Sequence, residues 1–283
     1  MRLLLGAGEA LFFVAAIAAA TDLAPESRRG EAISLISLSL YLGVAIGPLL
    51  AETVLQAADF TAVWLVASAI SLGALALSWI APETLSAAKR AEHPPNPRLI
   101  DRRGVTAGLL ALCGVWGMGP FFAFLPLMTD DLGTGASTYF GVFAIVVVVL
   151  RVLGAKLPDR IGAARLSGTA LIISAVGMAI SGLVPTETGL LIGSAIFAVG
   201  VAFTFPAIMA MAVVGVPQGE RGVVVGTASL FVDVSFGISP ALLGLMAQWT
   251  GYPPTFLVSA VIAAIGAAWL LIRRPGQLVA TST

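Results

Sequence analysis

The sequence predicts an all-α, polytopic membrane protein with about nine transmembrane helices, and three observations lead there. Hydrophobic residues make up 58% of the 283-residue chain and charged residues only 11%. A soluble chain of this size needs a polar skin nearer a quarter charged, whereas lipid accepts an apolar exterior. The apolar residues also gather into runs of about twenty, the length at which a helix crosses the hydrocarbon. Finally, the basic residues occupy every second connection between those runs.

In chain order the spans are residues 3–21, 32–55, 60–81, 105–128, 138–157, 166–184, 189–214, 223–248 and 255–272. All are too long for barrel strands and none alternates with period two, so helices are the only spanning option. The first begins like a signal peptide, with Arg2, an apolar stretch and "AIAAA" before Thr21. Glu9 interrupts its core and one arginine alone supplies the basic region, which favours a retained helix. The second follows the charged turn "ESRRG" and runs into "GVAIGPLL"; the third starts just after Asp59. Residues 82–104, "PETLSAAKRAEHPPNPRLIDRRG", form the only long connection and read as a cytoplasmic linker. It separates a partial N-terminal bundle, residues 1–81, from a six-helix bundle, residues 105–274, with a tail at 275–283. The fourth span contains "GVWGMGPFFAFLP", broken by glycine and proline as a gating helix beside a midplane site would be.

Orientation follows from the connections. Arg28/Arg29, Lys89/Arg90/Arg98/Arg102/Arg103, Lys156/Arg160/Arg165, Arg221 and Arg273/Arg274 come after alternate spans, and the intervening connections hold no lysine or arginine. The basic set is expected in the cytoplasm, with the first residues outside and the C-terminus inside. The protein is then a multi-pass component of the plasma (inner) membrane.

Other classes fall away. Cys113 is the single cysteine and His93 the single histidine, the latter in the linker, so neither a disulfide nor a metal cluster is expected. There is no Walker loop and no nucleophile–histidine arrangement. The chain reads as no enzyme, with no cofactor and no nucleic-acid partner; an obligate protein partner is left open.

One stretch is written twice. Arg29-Gly30 in "APESRRGEAISLISLSLYLGVAIGP" recurs as Arg221-Gly222 in "VPQGERGVVVGTASLFVDVSFGISP", about 192 residues on. Pro25 then matches Pro217, Ser37 matches Ser229, Ile46 matches Ile238 and Pro48 matches Pro240. Both copies run inside to outside, so the repeat is parallel, with its axis along the membrane normal.

On these residues the chain resembles the major facilitator superfamily. "RLLLGAG" is similar to the family's Arg-x-x-x-Gly-x-Gly motif on helix four, and "GVAIGPLLAE" to the Gly-x-x-x-Gly-Pro signature of helix five, associated with antiporters. "AKLPDRIG" resembles the Gly-x-Leu-x-Asp-Arg-x-Gly loop after helices two and eight. Ala155 replaces that loop's first glycine, and Ala51-Glu52 the antiporter signature's closing Gly-Gly. The resemblance implies helices four to twelve of twelve. The chain then reads as lacking the first three, or as an open reading frame started late. It also implies a secondary transporter of a small organic, drug-like or metabolite substrate, with proton-coupled efflux expected. A metabolite or sugar symporter and a truncated non-transporting membrane protein are the alternatives.

Ionisable groups inside spans cost some 2.5–3.5 kcal/mol on insertion scales, so they should face protein or water. Desolvation favours a carboxylate's neutral form, as loading a proton requires. Glu9 and Asp233 are therefore the proton-coupling candidates, with Arg2, seven residues from Glu9 on one helix face, as a modulator. A static buried ion pair is the alternative. Gly43, Gly47 and Pro48 suit close helix packing, with a leak-tight seam as the functional reading. Asp159, Arg160 and Gly162 lie in the motif loop, where Asp159 would latch a helix N-terminus or else form a solvated ion pair. The family's cavity-lining helices carry Phe12, Phe13, Trp116, Phe121, Phe122, Phe124, Phe197, Phe203 and Phe205, an aromatic lining for an apolar or cationic molecule. Core or lipid-facing packing is the alternative for each.

Overall fold

The computed structural model describes residues 8, 12, 16, 19, 29–80, 100–154, 157, 161–212, 215–216 and 221–272; for 29–38, 40–41, 44–45 and 221–222 it describes the backbone only. Every regular element among them is helical. The chain divides into two compact units, Met1–Pro97 and Arg98–Thr283, parted within the proline-rich connection.

The first unit holds α1 (Arg29–Ala57) and α2 (Phe60–Ile80) as a hairpin. Its turn is set by Asp59, whose carboxylate accepts from the Ala62 amide at 2.8 Å and so caps α2. Pro48 sits inside α1, and α2 has no buried residue. Of the first expected span, residues 8, 12, 16 and 19 are helical; the rest lies outside the described residues.

The second unit contains α3 (Arg102–Val115), α4 (Met118–Asp131), α5 (Ala136–Leu153), α6 (Ala163–Leu183), α7 (Glu187–Ala212), α8 (Arg221–Thr250) and α9 (Pro253–Ile272). Helix α3 starts inside the stretch expected to be linker. Asp101 caps it, accepting from the Arg103 amide at 2.8 Å and pairing with the Arg103 guanidinium at 2.7 Å. Its own amide donates to Thr227 Oγ1 at 2.9 Å, which ties the start of α3 to α8. Elsewhere the expected spans and the helices agree within about four residues, helices running past the apolar run because caps lie in polar flanks.

Small residues set the packing. On α6 and α7 a Cβ at Gly177 would meet the Phe197 backbone, one at Gly193 the Ser181 hydroxyl, and one at Gly200 the Ser174 hydroxyl. Backbones in that seam approach as closely as van der Waals radii allow, which is how apolar helices gain affinity where no hydrophobic force acts between them. A core of Leu110, Ala111, Leu171, Ile208, Ala228 and Ala267 joins α3, α6, α7, α8 and α9.

Seven segments among the described residues are long and apolar enough to cross a membrane: Phe60–Ile80, Arg102–Asp131, Ala136–Leu153, Ala163–Leu183, Glu187–Ala212, Val223–Thr250 and Pro253–Ile272. They carry Leu65, Leu77, Ile145, Val152 and Leu271, all exposed, an apolar surface that suits lipid. Trp79 and Trp249, both more than four-fifths exposed, stand near helix ends, where interfacial tryptophans anchor a span.

Candidate functional site

The most irregular backbone within a span is the break between α3 and α4 at Trp116–Gly117. Pro120 explains it: lacking an N–H, it cannot donate to the carbonyl four residues back, that of Trp116. In hydrocarbon that carbonyl needs another donor. Ser239 Oγ on α8 supplies one at 2.8 Å, and the Gly119 amide a second at 3.2 Å. The two elements meet because Gly104, Gly108 and Gly119 leave room for Thr227, Phe231 and Ser239 in turn. This is a parallel register in which Trp116 is level with Ser239.

Ser235 lies one turn before Ser239 on the same face of α8 and is fully buried. Its hydroxyl and the Trp116 indole N–H are both shielded from solvent, and neither has a hydrogen-bond partner among the described residues. Native proteins rarely leave such groups unpaired, and each calls for an explanation. Each is a hydrogen-bonding group held in a low-dielectric setting near the break. Either could hydrogen-bond a polar group of a small molecule. No group of three or more metal-ligating side chains occurs among the described residues.

The aromatic candidates separate into two sets. Phe121 and Phe197 are closed off, packed with Phe143 at centroid distances of 4.8 and 5.8 Å and with each other at 5.5 Å. In this conformation they are bundle core and offer no surface to a substrate. Phe124 is buried and stacks on Tyr252 at 5.5 Å. Trp116, Phe122, Phe203 and Phe205 are half-buried, and the Phe203 ring rests against Gly154. Phe12 is exposed; Phe13 lies outside the described residues.

Arg2, Glu9, Asp159 and Arg160 also lie outside them. Asp233 is exposed in mid-α8; two residues from Ser235, it is about 200° round the helix and faces away from the break. Among the described residues no atom lies within 4 Å of where a Cβ on Gly43 or Gly47 would stand, and Pro48 is half-buried. Gly162 precedes α6 with φ +90°, a conformation L side chains rarely adopt, so this position of the "DRIG" loop requires glycine for its backbone. Arg151 sits in the last turn of α5, where a cation complements the helix dipole.

Ser235 and Ser239 were not singled out by sequence reasoning, nor were Gly177, Gly193 and Gly200. The signal for the serines is present in "VSFGISP", two hydroxyls four apart before a proline, but its meaning depends on which helix is broken opposite.

A family model described as Major Facilitator Superfamily matches residues 1–233 and again 107–282. An uncharacterized MFS-type transporter of Salmonella typhimurium is 29% identical over 279 residues, covering 96% of this chain and 70% of the relative. The uncharacterized MFS-type transporter YhhS of Escherichia coli is 26% identical, covering 88% of this chain and 62% of its own length. Among solved structures, the human organic anion transporter MFSD10 superposes with a TM-score of 0.64 at 17% identity, over 90% of this chain and 66% of that one. The chain thus spans about two thirds of the length of the relatives it matches.

Proposed function

The chain belongs to the Major Facilitator Superfamily, and on that premise we propose that it carries out secondary active transport, exporting a small organic molecule against protons by alternating access. The observation that carries the reading is the break at Trp116–Gly117, with the buried indole N–H and the Ser235 hydroxyl unpaired beside it. Discontinuous helices with polar groups turned inward are where such folds hold substrate. The substrate class that fits has an apolar or aromatic body and a hydrogen-bond acceptor for Trp116 Nε1. Trp116 and Phe122, with surface still open, are its aromatic contacts; Phe203 and Phe205 are secondary ones. Glu9, Asp233 and Arg2 are assigned to proton coupling, Asp159, Arg160 and Gly162 to the gate loop, and Gly43, Gly47 and Pro48 to close helix approach. The basic ends of the spans face the cytoplasm.

Inside-out vesicles carrying the chain test this with a panel of fluorescent organic substrates under an imposed pH gradient. Substrate and protons should move in opposite directions; co-movement makes the protein a symporter, and no flux at any gradient removes transport. Trp116→Phe keeps the ring and loses the donor, so KM should rise about tenfold, the weight of one buried hydrogen bond. Asp233→Asn should abolish the response to pH while substrate counterflow persists; a retained pH response eliminates Asp233.

A further inference from the structure

Several helical hydroxyls of the second unit turn back on their own backbone. Ser167, Ser181, Thr204 and Ser259 each donate to the carbonyl four residues before them, at 2.8–3.2 Å. Ser239 instead reaches out of α8 to the Trp116 carbonyl at 2.8 Å. Its hydroxyl is fully buried, in a place that a Cβ at residue 119 would occupy.

Trp116 is the residue this bond governs. Its amide donates to the Leu112 carbonyl at 2.9 Å and closes α3. Beyond it, Gly117 and Gly119 lend the backbone little stiffness of their own, and Pro120 removes the helical donor. The Gly119 amide contacts the same carbonyl at 3.2 Å, but it belongs to the break and moves with it. Ser239 comes from a neighbouring helix and ties the peptide plane to an outside reference. Bonds on both sides of Cα116 thus fix the direction in which its side chain leaves the backbone. That side chain ends in an indole N–H that is shielded from solvent and has no partner among the described residues. We propose that Ser239 is a positioning residue for transport: through the Trp116 carbonyl it holds the indole N–H where it meets an acceptor on the substrate. This role rests on Trp116 being a substrate contact, as proposed above, and adds what keeps that contact in register.

Initial rates of rhodamine 6G transport, taken per folded protein in inside-out vesicles carrying the full chain, test this. The dye is an aromatic cation with an ester carbonyl as acceptor. Ser239→Ala loosens the indole, which binding must then order. KM should rise about fivefold, the weight of immobilising one side chain, with kcat little changed. Ser239→Cys, close in volume and a weaker donor, should fall between the parent and the alanine variant. Since the serine acts through the indole, the Trp116→Phe, Ser239→Ala double variant should have the KM of Trp116→Phe alone. A role in folding alone lowers the yield of folded protein and leaves KM where it was; that result overturns the proposal. Two KM effects that multiply in full overturn it as well, because the serine then acts elsewhere. An unchanged KM in Trp116→Phe removes the contact and the positioning role together. A raised KM in Trp116→Phe beside an unchanged one in Ser239→Ala and Ser239→Cys removes the positioning role and leaves the contact standing.

Discussion

The hairpins α1–α2 and α8–α9 are two copies of one design in different surroundings. Helices α1 and α8 both begin on the Arg-Gly pair, run 29 and 30 residues, and carry a proline, Pro48 or Pro240, at the same distance from their starts. Each is followed by a tight turn and a second apolar helix. Yet α2 buries nothing, whereas α9 buries Thr255, Phe256, Ser259, Ala260 and further residues against α6 and α3. Helix formation and the position of the proline within it are local, and the same residues produce them twice. Burial is conferred by neighbours, and the hairpin sequence alone does not contain it.

The same alignment puts Gly43 opposite Ser235 and Gly47 opposite Ser239. Both copies thus keep a small residue four apart before a proline, but only the second carries hydroxyls. The reason is visible in the second unit, where Pro120 strands the Trp116 carbonyl and Ser239 answers it. The small-x-x-x-small-Pro pattern allows close approach in either copy, and the serines add a polar function to the one that faces a broken helix.

Steric substitutions separate the two copies most strongly. Gly119→Leu drives a side chain into Ser239 and Pro240 and should cost about 3 kcal/mol or more, read as a lowered unfolding midpoint in detergent. Gly47→Leu meets no atom of the described residues within 4 Å of its Cβ and should change stability by less than about 0.5 kcal/mol. On the proposed role in close helix approach it should nonetheless impair transport. Equal destabilisation by the two would erase the distinction.

Next in size is Ser239→Ala. It removes the side-chain donor to a carbonyl that proline has already deprived of its helical partner, leaving only the weaker Gly119 contact. A loss of about 1–3 kcal/mol is expected, because a buried acceptor loses its compensation. Gly47→Ser in the first hairpin, with no stranded carbonyl assigned to it, should be neutral by the same unfolding measurement.

Much of this fold was legible in the sequence because a membrane simplifies the problem. Backbone groups in lipid must pair within their own helix, so length and hydropathy mark the spans, and the basic connections alternate with them. The repeat was legible because Arg, Gly and Pro act on the chain where they stand. Asp101 was less so: a carboxylate in a charged linker gave no sign that it would cap α3 and extend it back to Arg102. The site was read only in part. Trp116, Phe121 and Phe197 were all named from the helices they stand on; the first has a buried indole N–H without a partner among the described residues, and the other two are sealed in the core. Helix membership fixes which helix a phenylalanine is on; the rings packed round it, Phe143 of α5 above all, decide whether it is covered.

The smallest expected effect discriminates best between a structural and a binding role. Ser235 has the burial of Ser239 and one turn's separation from it, but its hydroxyl has no partner among the described residues. If the hydroxyl served only the fold, it would be a buried polar group without compensation, and Ser235→Ala should be neutral or slightly stabilising, within about 0.5 kcal/mol. The variant then matches the apolar Gly43 of the first copy in character. If the hydroxyl waits for a ligand, stability is still unmoved, but KM for transport rises severalfold with kcat little changed. The pair of measurements separates the roles: a large loss of stability would reveal a structural partner, and an unchanged KM would confine the binding role to Trp116.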